Sequence, residues 1–279
     1  MRSPLDRPLA KLITLYIPLA LVVLFALLPY IWGFISSITP EREMYTAEFR
    51  YFPENPTTEN YGRLFLKINF VENMMDSLIV ATAAMLFGLG VSVTASYTFS
   101  RFRFRGRRYL LMQFLVINMF PVVLLLIPLF VIFSRLELMD THLALVLAYG
   151  TFTIPFSTWM MTSFFNAIPK QLDDAALIDG CNRFSTLTRV VLPIAMPGIA
   201  ATGIYIFITS WNEFVFASVL TSKDVQTIPI ALQNMVGQYQ IEWGLLTAGG
   251  VVSAIPVSVL FFFIQKQLIT GMTAGAVKG

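Results

Sequence analysis

Six stretches of this sequence are apolar and long enough to cross a lipid bilayer, and together they contain a single acidic residue. A helix needs about 20 mostly apolar residues to cross a hydrocarbon core of about 30 Å. Charged residues make up 13% of the chain, whereas a soluble domain carries about 25%. We therefore predict an all-α, multi-pass membrane protein with spans centred on residues 15–36, 78–98, 110–133, 143–165, 199–220 and 247–268.

The same composition excludes several classes of function. So few charges exclude a soluble enzyme, a disordered chain and a nucleic-acid binder that works through a basic surface. One cysteine, Cys181, excludes a disulfide framework, and one histidine, His142, excludes histidine-rich metal chemistry. No Gly-x-x-x-x-Gly-Lys-Ser/Thr phosphate loop occurs, so the chain is not expected to hydrolyse ATP. We expect no catalytic or metal site, a small buried Cys181 and a solvated His142.

Lysine and arginine indicate the orientation of the spans. The first span is longer than a signal-peptide core and no Ala-x-Ala site follows it, so we interpret it as a retained anchor. With the N-terminus in the cytoplasm, 13 of the 19 lysines and arginines lie on the cytoplasmic side. Five of them are arginines in the run 101–108. Because basic loops stay inside, we predict six spans with both termini cytoplasmic.

The second span carries small residues at intervals of four, which form one stripe on a helix: Ala84, Gly88, Ser92, Ser96 and Ser100. Such stripes allow membrane helices to approach closely. The pattern favours helix packing, and a pore lining is the alternative.

The only acid within a span is Glu213, in the sequence Trp211-Asn212-Glu213-Phe214. An ionised carboxylate facing lipid is expensive, so Glu213 is expected to face protein or water and to have a partner. Two interpretations remain open. Trp211, Asn212 and Glu213 line a translocation pathway, or the carboxyl is hydrogen-bonded inside the helix bundle.

Residues 169–193, between the fourth and fifth spans, have the features of an ordered cytoplasmic unit. Proline opens a short helical pattern, two acids lie in its first half, and Gly180 ends it. A second helical pattern follows over 182–191 and is expected to stop at Pro193. Ala175 and Ala176 would let another protein surface come close. We interpret this unit as a docking element made of helix, glycine turn and helix.

The spacing Asp174-Ala175-Ala176, three residues, Gly180, nine residues, Val190, one residue, Leu192-Pro193 resembles the EAA loop of permease subunits of ABC importers. The family's usual glutamate is Asp174 here, and its usual isoleucine is Val190. The stretch from Trp211 to Ala217 and the C-terminal residues 271–279 are similar to maltose-type carbohydrate permeases.

The resemblance implies a type I importer fold with defined partners. These are a second permease subunit, two copies of an ATPase that bind ATP and magnesium, an extracytoplasmic sugar-binding protein and a saccharide. It implies that residues 169–193, hereafter the coupling segment, sit in a cleft of the ATPase. It also implies that the tail residues Thr273, Ala274, Gly275 and Lys278 reach between the ATPases. The resemblance further implies that the extracytoplasmic loop between the fifth and sixth spans contacts the binding protein. The contacting residues would be Gly237, Gln238, Tyr239 and Gln240.

On this basis we divide the chain into an N-terminal part (1–72), a permease core (73–268) and a cytoplasmic tail (269–279). We expect membrane lipid but no nucleic acid as a partner, and no cofactor in this chain. Two alternatives are a permease for another solute, such as a glycerol-phosphate compound, and a secondary carrier. A neutral saccharide is favoured because lysine and arginine are absent from the middle of the spans. A single acid within the spans and the lack of an internal repeat disfavour a carrier.

Overall fold

The computed structural model describes the chain over residues 11–45, 50–237 and 241–276, and its side chains except those of residue 67 and residues 268–276. Within these residues the fold is all-α, and the only β pairing is an isolated antiparallel bridge between Val236 and Ile241. The chain divides into two compact units. Unit 1 comprises residues 1–70 and 232–255, and unit 2 comprises residues 71–231 and 256–279. The predicted division into 1–72, 73–268 and 269–279 stays a prediction.

The helices are numbered here in chain order. They are α1 (Leu12–Ser37), α2 (Glu41–Met44), α3 (Glu59–Lys67), α4 (Phe70–Arg101), α5 (Arg107–Met119), α6 (Val122–Arg135), α7 (His142–Ala167), α8 (Gln171–Ile178), α9 (Arg183–Ile194), α10 (Met196–Trp211), α11 (Val215–Leu220), α12 (Ile228–Asn234) and α13 (Trp243–Ala276). Two segments are wound as π-helix, namely the first five residues of α1 and residues Leu187–Val191 of α9. Helix α6 begins with a 3₁₀ turn.

Unit 1 is held together by polar contacts near its helix ends. The amide of Asn60 on α3 donates to the carbonyl oxygens of Ser37 and Thr39, at 2.9 and 3.0 Å. The carboxylate of Glu41 accepts the backbone N–H groups of Trp243 and Gly244, at 3.0 and 3.1 Å. Since the first N–H groups of a helix lack internal partners, Glu41 acts as a cap for α13.

In unit 2, the small-residue stripe of α4 packs against other helices. Ala84, Gly88, Ser92, Ser96 and Ser100 are all buried. A Cβ atom on Gly88 would lie 3.0 Å from the side chain of Ile206 on α10. Ser100 donates to the amide oxygen of Asn166 on α7 at 2.9 Å. The packing interpretation of the stripe is therefore confirmed.

In the part of the chain that the structure describes, four helices are long and apolar enough to cross a membrane: α1, α4, α7 and α13 up to Gln267. Two bent helix pairs bring the total to six if each pair is one span. The predicted spans 15–36, 78–98 and 143–165 lie within α1, α4 and α7.

The third predicted span, 110–133, is not one continuous helix. It consists of α5 and α6, which meet at an angle of 98°. Phe120 is extended, with ψ at 137°, and Pro121 follows it. Proline supplies no N–H and disfavours helical geometry in the residue before it, so the helix ends there.

The fifth predicted span, 199–220, is also interrupted. Helix α10 ends at Trp211, and a new helix, α11, begins at Val215. At the other end of α10, an 83° bend separates it from α9. The expected stop at Pro193 was wrong, because α9 continues through this proline to Ile194. A π-helical turn, Leu187–Val191, lies just before this proline.

Candidate coupling site

The coupling segment begins with α8, whose end depends on Gly180. Gly180 has a φ of +83°, which side chains rarely adopt. Its N–H donates to the carbonyl of Leu177 at 3.1 Å, and the N–H of Cys181 donates to that of Ala176 at 2.9 Å. These two bonds form a Schellman motif, which satisfies the last carbonyls of the helix and turns the chain sharply.

The second helix, α9, starts at a side-chain cap. Asn182 is extended, and its Oδ1 accepts the backbone N–H of Ser185 at 2.8 Å. An asparagine at this position stabilises a helix start by satisfying one unpaired N–H. The predicted arrangement of helix, glycine turn and helix is confirmed.

One face of α9 anchors the coupling segment to unit 2. Leu187 and Val191 are buried in an apolar cluster with Tyr97 of α4 and with Met161 and Phe165 of α7. Just beyond α9, Gly198 lies against the ring of Phe164, where a Cβ atom would come within 2.5 Å of the ring. Close packing therefore fixes α9 and the start of α10 against α7.

Away from this apolar cluster, the segment exposes several large apolar side chains. Ile178 is 86% exposed and Phe184 is 72% exposed, and Leu172 is exposed as well. Asp174 and Ala175 lie on the exposed side of α8. We call these five residues the docking surface. Large apolar side chains that are exposed outside the predicted spans make this segment a candidate for contact with another protein or with the membrane surface.

Not every residue of the motif lies on that surface. Ala176 is buried within unit 2, so of the two alanines expected to let a partner surface come close only Ala175 is exposed. The coupling role of both alanines stays a prediction. Gly180 and Pro193 are exposed, whereas Val190 and Leu192 are half-buried. Within the described residues, the motif therefore consists partly of exposed positions and partly of positions packed inside unit 2.

A buried ion pair joins α8 to the end of α4. The Nε atom of Arg101 lies 3.0 Å from Oδ2 and 3.1 Å from Oδ1 of Asp173, and both side chains are 4% exposed. The hydroxyl of Tyr97 donates to the same carboxylate at 3.1 Å. The motif directs attention to Asp174, but the acid that is buried and paired is its neighbour, Asp173. We refer to Arg101 and Asp173 as the buried pair.

Glu213 lies in the break between α10 and α11. Its carboxylate accepts the backbone N–H groups of Phe216 and Ala217, at 3.0 to 3.2 Å, so it caps α11. Trp211 is buried and stacks on Phe207, with ring centroids 5.6 Å apart. Asn212 is exposed and donates to the carbonyl of Ile208. The expected partner of Glu213 is thus backbone, and a role for these residues in a pathway stays a prediction.

Several predicted contact residues are described only in part. Gly237 is exposed, whereas Gln238, Tyr239 and Gln240 lie outside the described residues. The backbone of Thr273, Ala274 and Gly275 continues α13, but their side chains lie outside the described part of the chain, as does Lys278. Their predicted roles stay predictions.

A second acidic site, centred on Asp140, was missed by the sequence analysis. Asp140 lies between α6 and α7 with a φ of +59°. Its carboxylate accepts the hydroxyl of Ser222 and the backbone N–H groups of residues 222–225, at 2.6 to 3.2 Å. Partial burial raises the pKa of Asp140, but these hydrogen bonds outweigh it and hold the pKa well below its usual value. No local pattern identifies this site, since its donors lie about eighty residues further on.

His142 is not simply solvated, as the sequence suggested. Its Nε2 atom lies 2.8 Å from Oδ1 of Asp76, at the start of α7. The other carboxylate oxygen of Asp76 accepts the N–H of Gln226 at 3.0 Å. Cys181 is half-buried. Within the described residues, no three side chains of the histidine, cysteine, aspartate or glutamate type are grouped to hold a metal ion.

The fold and the site together define a class of protein. Helices able to cross a membrane are connected through an ordered pair of short helices that exposes large apolar side chains. This arrangement is that of a membrane-embedded transporter subunit.

The comparisons with known proteins identify the family. The chain belongs to the family described as binding-protein-dependent transport system inner membrane component, whose model matches residues 84–273. It is therefore a permease subunit of an ABC importer, a multi-pass membrane protein and not itself an enzyme. This membership overturns the alternative of a secondary carrier.

Similar proteins match over nearly the whole chain. A sulfoquinovosyl glycerol transport system permease protein of Agrobacterium fabrum is 33% identical over 265 residues, which cover 95% of this chain and 93% of the relative. The trehalose/maltose transport system permease protein MalG of Thermococcus litoralis is 33% identical over 273 residues, 96% and 98% of the two chains.

Solved structures show the same fold. A chain of a bacterial ABC transporter involved in the import of the acidic polysaccharide alginate matches with a TM-score of 0.77 at 23% identity. The match covers 95% of this chain and 98% of that chain. A second alginate transporter structure, in complex with an alginate pentasaccharide-bound periplasmic protein, has a TM-score of 0.67 at 15% identity.

Proposed function

We propose that this permease subunit forms, with a second permease, the translocation pathway for a saccharide delivered by an extracytoplasmic binding protein. Two copies of an ATPase drive transport from the cytoplasmic face, and both termini of the chain are cytoplasmic. The saccharide assignment is supported by the relatives' names, which include trehalose/maltose and diacetylchitobiose systems, and by the absence of lysine and arginine from the middle of the spans.

The observation that carries the proposal is the docking surface of the coupling segment. The apolar cluster around Leu187 and Val191 fixes the back of the segment, while Ile178 and Phe184 remain open. The side chain of Ala175 is small enough to let a partner surface approach the backbone of α8. Asp174 places one exposed acid in the first turn of α8, where it can pair with a basic side chain of the ATPase.

The relatives also support a second candidate substrate class. The Agrobacterium relative is named for sulfoquinovosyl glycerol, and a sulfonated sugar is an anion. The glycerol-phosphate alternative belongs to the same class of anionic glycerol compounds. A competition experiment separates the two classes: a neutral disaccharide should inhibit uptake at a lower concentration than a sulfonated or phosphorylated glycerol derivative of similar size.

The docking role is tested in purified complexes of the permease pair, the ATPase and the binding protein in lipid nanodiscs. Ile178→Asp places a charge in the proposed contact and should remove most of the bound ATPase while leaving the two permeases associated. Leu136→Asp is the matched control, because Leu136 is also an exposed apolar residue but lies in the segment between α6 and α7. Equal ATPase binding by Ile178→Asp and Leu136→Asp would contradict the proposal.

A further inference from the structure

The guanidinium of Arg101, at the end of α4, binds groups on both α7 and α8. Besides Asp173 of α8, it donates through Nη1 to the carbonyl of Phe165 at 2.9 Å and through Nη2 to that of Ile168 at 3.3 Å. Both carbonyls belong to the end of α7, where the last carbonyls of a helix lack internal partners and attract cations. Arg101 itself ends α4. One side chain therefore ties α4, α7 and α8 together.

The carboxylate of Asp173 is the point at which α8 joins this group. It lies in the first turn of α8 and is held by Arg101 and by the hydroxyl of Tyr97, both from α4. Next to it, Asp174 and Ala175 are exposed on the docking surface. The docking surface and the buried pair are thus one residue apart on the same helical turn.

Stability alone does not account for a buried pair at this position. Removing two charges from water costs about as much as their attraction returns, so apolar residues of similar volume are often equally stable or better. The property that an apolar pair cannot supply is a directional link between helices, because Arg101 holds the Asp173 carboxylate through Nε while its Nη atoms bind the carbonyls at the end of α7.

We infer that the buried pair of Arg101 and Asp173 is the joint through which movement of α8 reaches the spans α4 and α7. This inference rests on the proposed function, since it requires the ATPase to move α8. Movement of the coupling segment would then reach the spans by two routes: through the buried pair, and through the direct chain connection from α9 into α10. The two routes end on helices that pack against each other, because Gly88 of α4 meets Ile206 of α10.

The test replaces the pair with apolar residues that preserve packing. The double variant Arg101→Met with Asp173→Leu is reconstituted with the partner permease, the ATPase and the binding protein. Three quantities are measured: bound ATPase, ATP hydrolysis, and solute taken up per ATP hydrolysed. We expect normal ATPase binding and continued hydrolysis, but a fall of about tenfold in uptake per ATP, as expected for loss of a coupling contact.

A second variant keeps the inference testable if the double variant does not assemble. Arg101→Lys retains the charge but loses the planar fork, so uptake per ATP should fall by about threefold, a smaller loss of coupling, while binding of ATPase is unchanged. Arg103→Lys is the control, because Arg103 is an exposed arginine two residues beyond Arg101 and lies outside the coupling segment. It should match the wild type in all three measurements.

The outcomes separate this inference from the proposed function. If wild-type complexes do not bind the ATPase through the docking surface, the proposed function fails. If the double variant, or Arg101→Lys where the double variant does not assemble, transports as many solute molecules per ATP as the wild type, the pair is merely structural and the inference is overturned. Loss of ATPase binding in either variant would also overturn it, since the pair would then maintain the docking surface instead of transmitting its movement.

Discussion

At each of two ends of unit 2, a single aspartate holds a segment of the chain in place. At the coupling end, Asp173 binds the charged side chain of Arg101, and both groups are buried. At the opposite end, Asp140 binds backbone N–H groups of residues 222–225 and is half-buried. The first arrangement joins helices to one another, whereas the second folds a loop around a carboxylate.

Each end also has its own apolar core. Tyr97, Phe165 and Val191 belong to the cluster at the coupling end, and Val80, Tyr149 and Phe216 belong to the cluster at the opposite end. The comparison shows that the role of an aspartate depends on its partner: paired with an arginine it joins helices, and paired with backbone N–H groups it orders a loop. A buried charge needs its counter-charge, whereas a carboxylate surrounded by N–H groups at the surface can exchange some of them for water.

The largest effect is expected from Asp173→Asn. The amide leaves the Arg101 charge buried without a counter-charge, and breaking a buried pair in this way costs about 3 kcal/mol or more. The melting temperature of the purified complex should fall clearly. Asp179→Asn should melt like the wild type, since Asp179 is exposed. An equal, small shift in both variants would show that Asp173 is not desolvated in the assembled protein.

An intermediate effect is expected from Asp140→Asn, because the amide retains only one acceptor oxygen. We expect a loss of about 2 kcal/mol, the range of hydrogen bonds to a charged group. Because the folded pKa of Asp140 lies below its usual value, its contribution is complete above about pH 4, the ordinary aspartate value. It should then be lost as the pH falls below that point.

The pH dependence is measured as the difference in melting temperature between the wild type and Asp140→Asn. This difference should stay constant from about pH 7 to pH 5 and shrink below about pH 4. Asp224→Asn is the control in the same loop, because Asp224 is exposed. A difference that shrinks already near pH 6 would contradict a lowered pKa.

The smallest effect is expected from Gly180→Ala. No atom lies within 4 Å of an added Cβ, so the cost is only that of holding an L-residue at a φ of +83°, about 1 kcal/mol. Gly180→Asn should lose less, because asparagine tolerates this conformation better. Urea titration of the assembled complex compares the two variants, and an equal loss in both would show that the turn relaxes.

Local patterns in the sequence were enough to predict much of this protein. Apolar length gave the spans that became α1, α4 and α7, because a helix of that length and composition has few alternatives in a membrane. The turn at Gly180 was also predictable, since a glycine at a helix end is itself the physical cause of the stop. The small-residue stripe of α4 was predictable because helical periodicity places its members on one face.

Other features depend on groups that are distant in sequence, and only the tertiary structure decided them. No local pattern shows that Asp173 instead of Asp174 is buried, because its burial depends on Arg101, seventy-two residues away. The five donors around Asp140 and the pairing of His142 with Asp76 depend on similar separations. The break before α11 was hidden for a different reason. The carboxylate of Glu213 competes with the helix for backbone N–H groups, and which of the two prevails depends on the packing around Phe216 and Ala217.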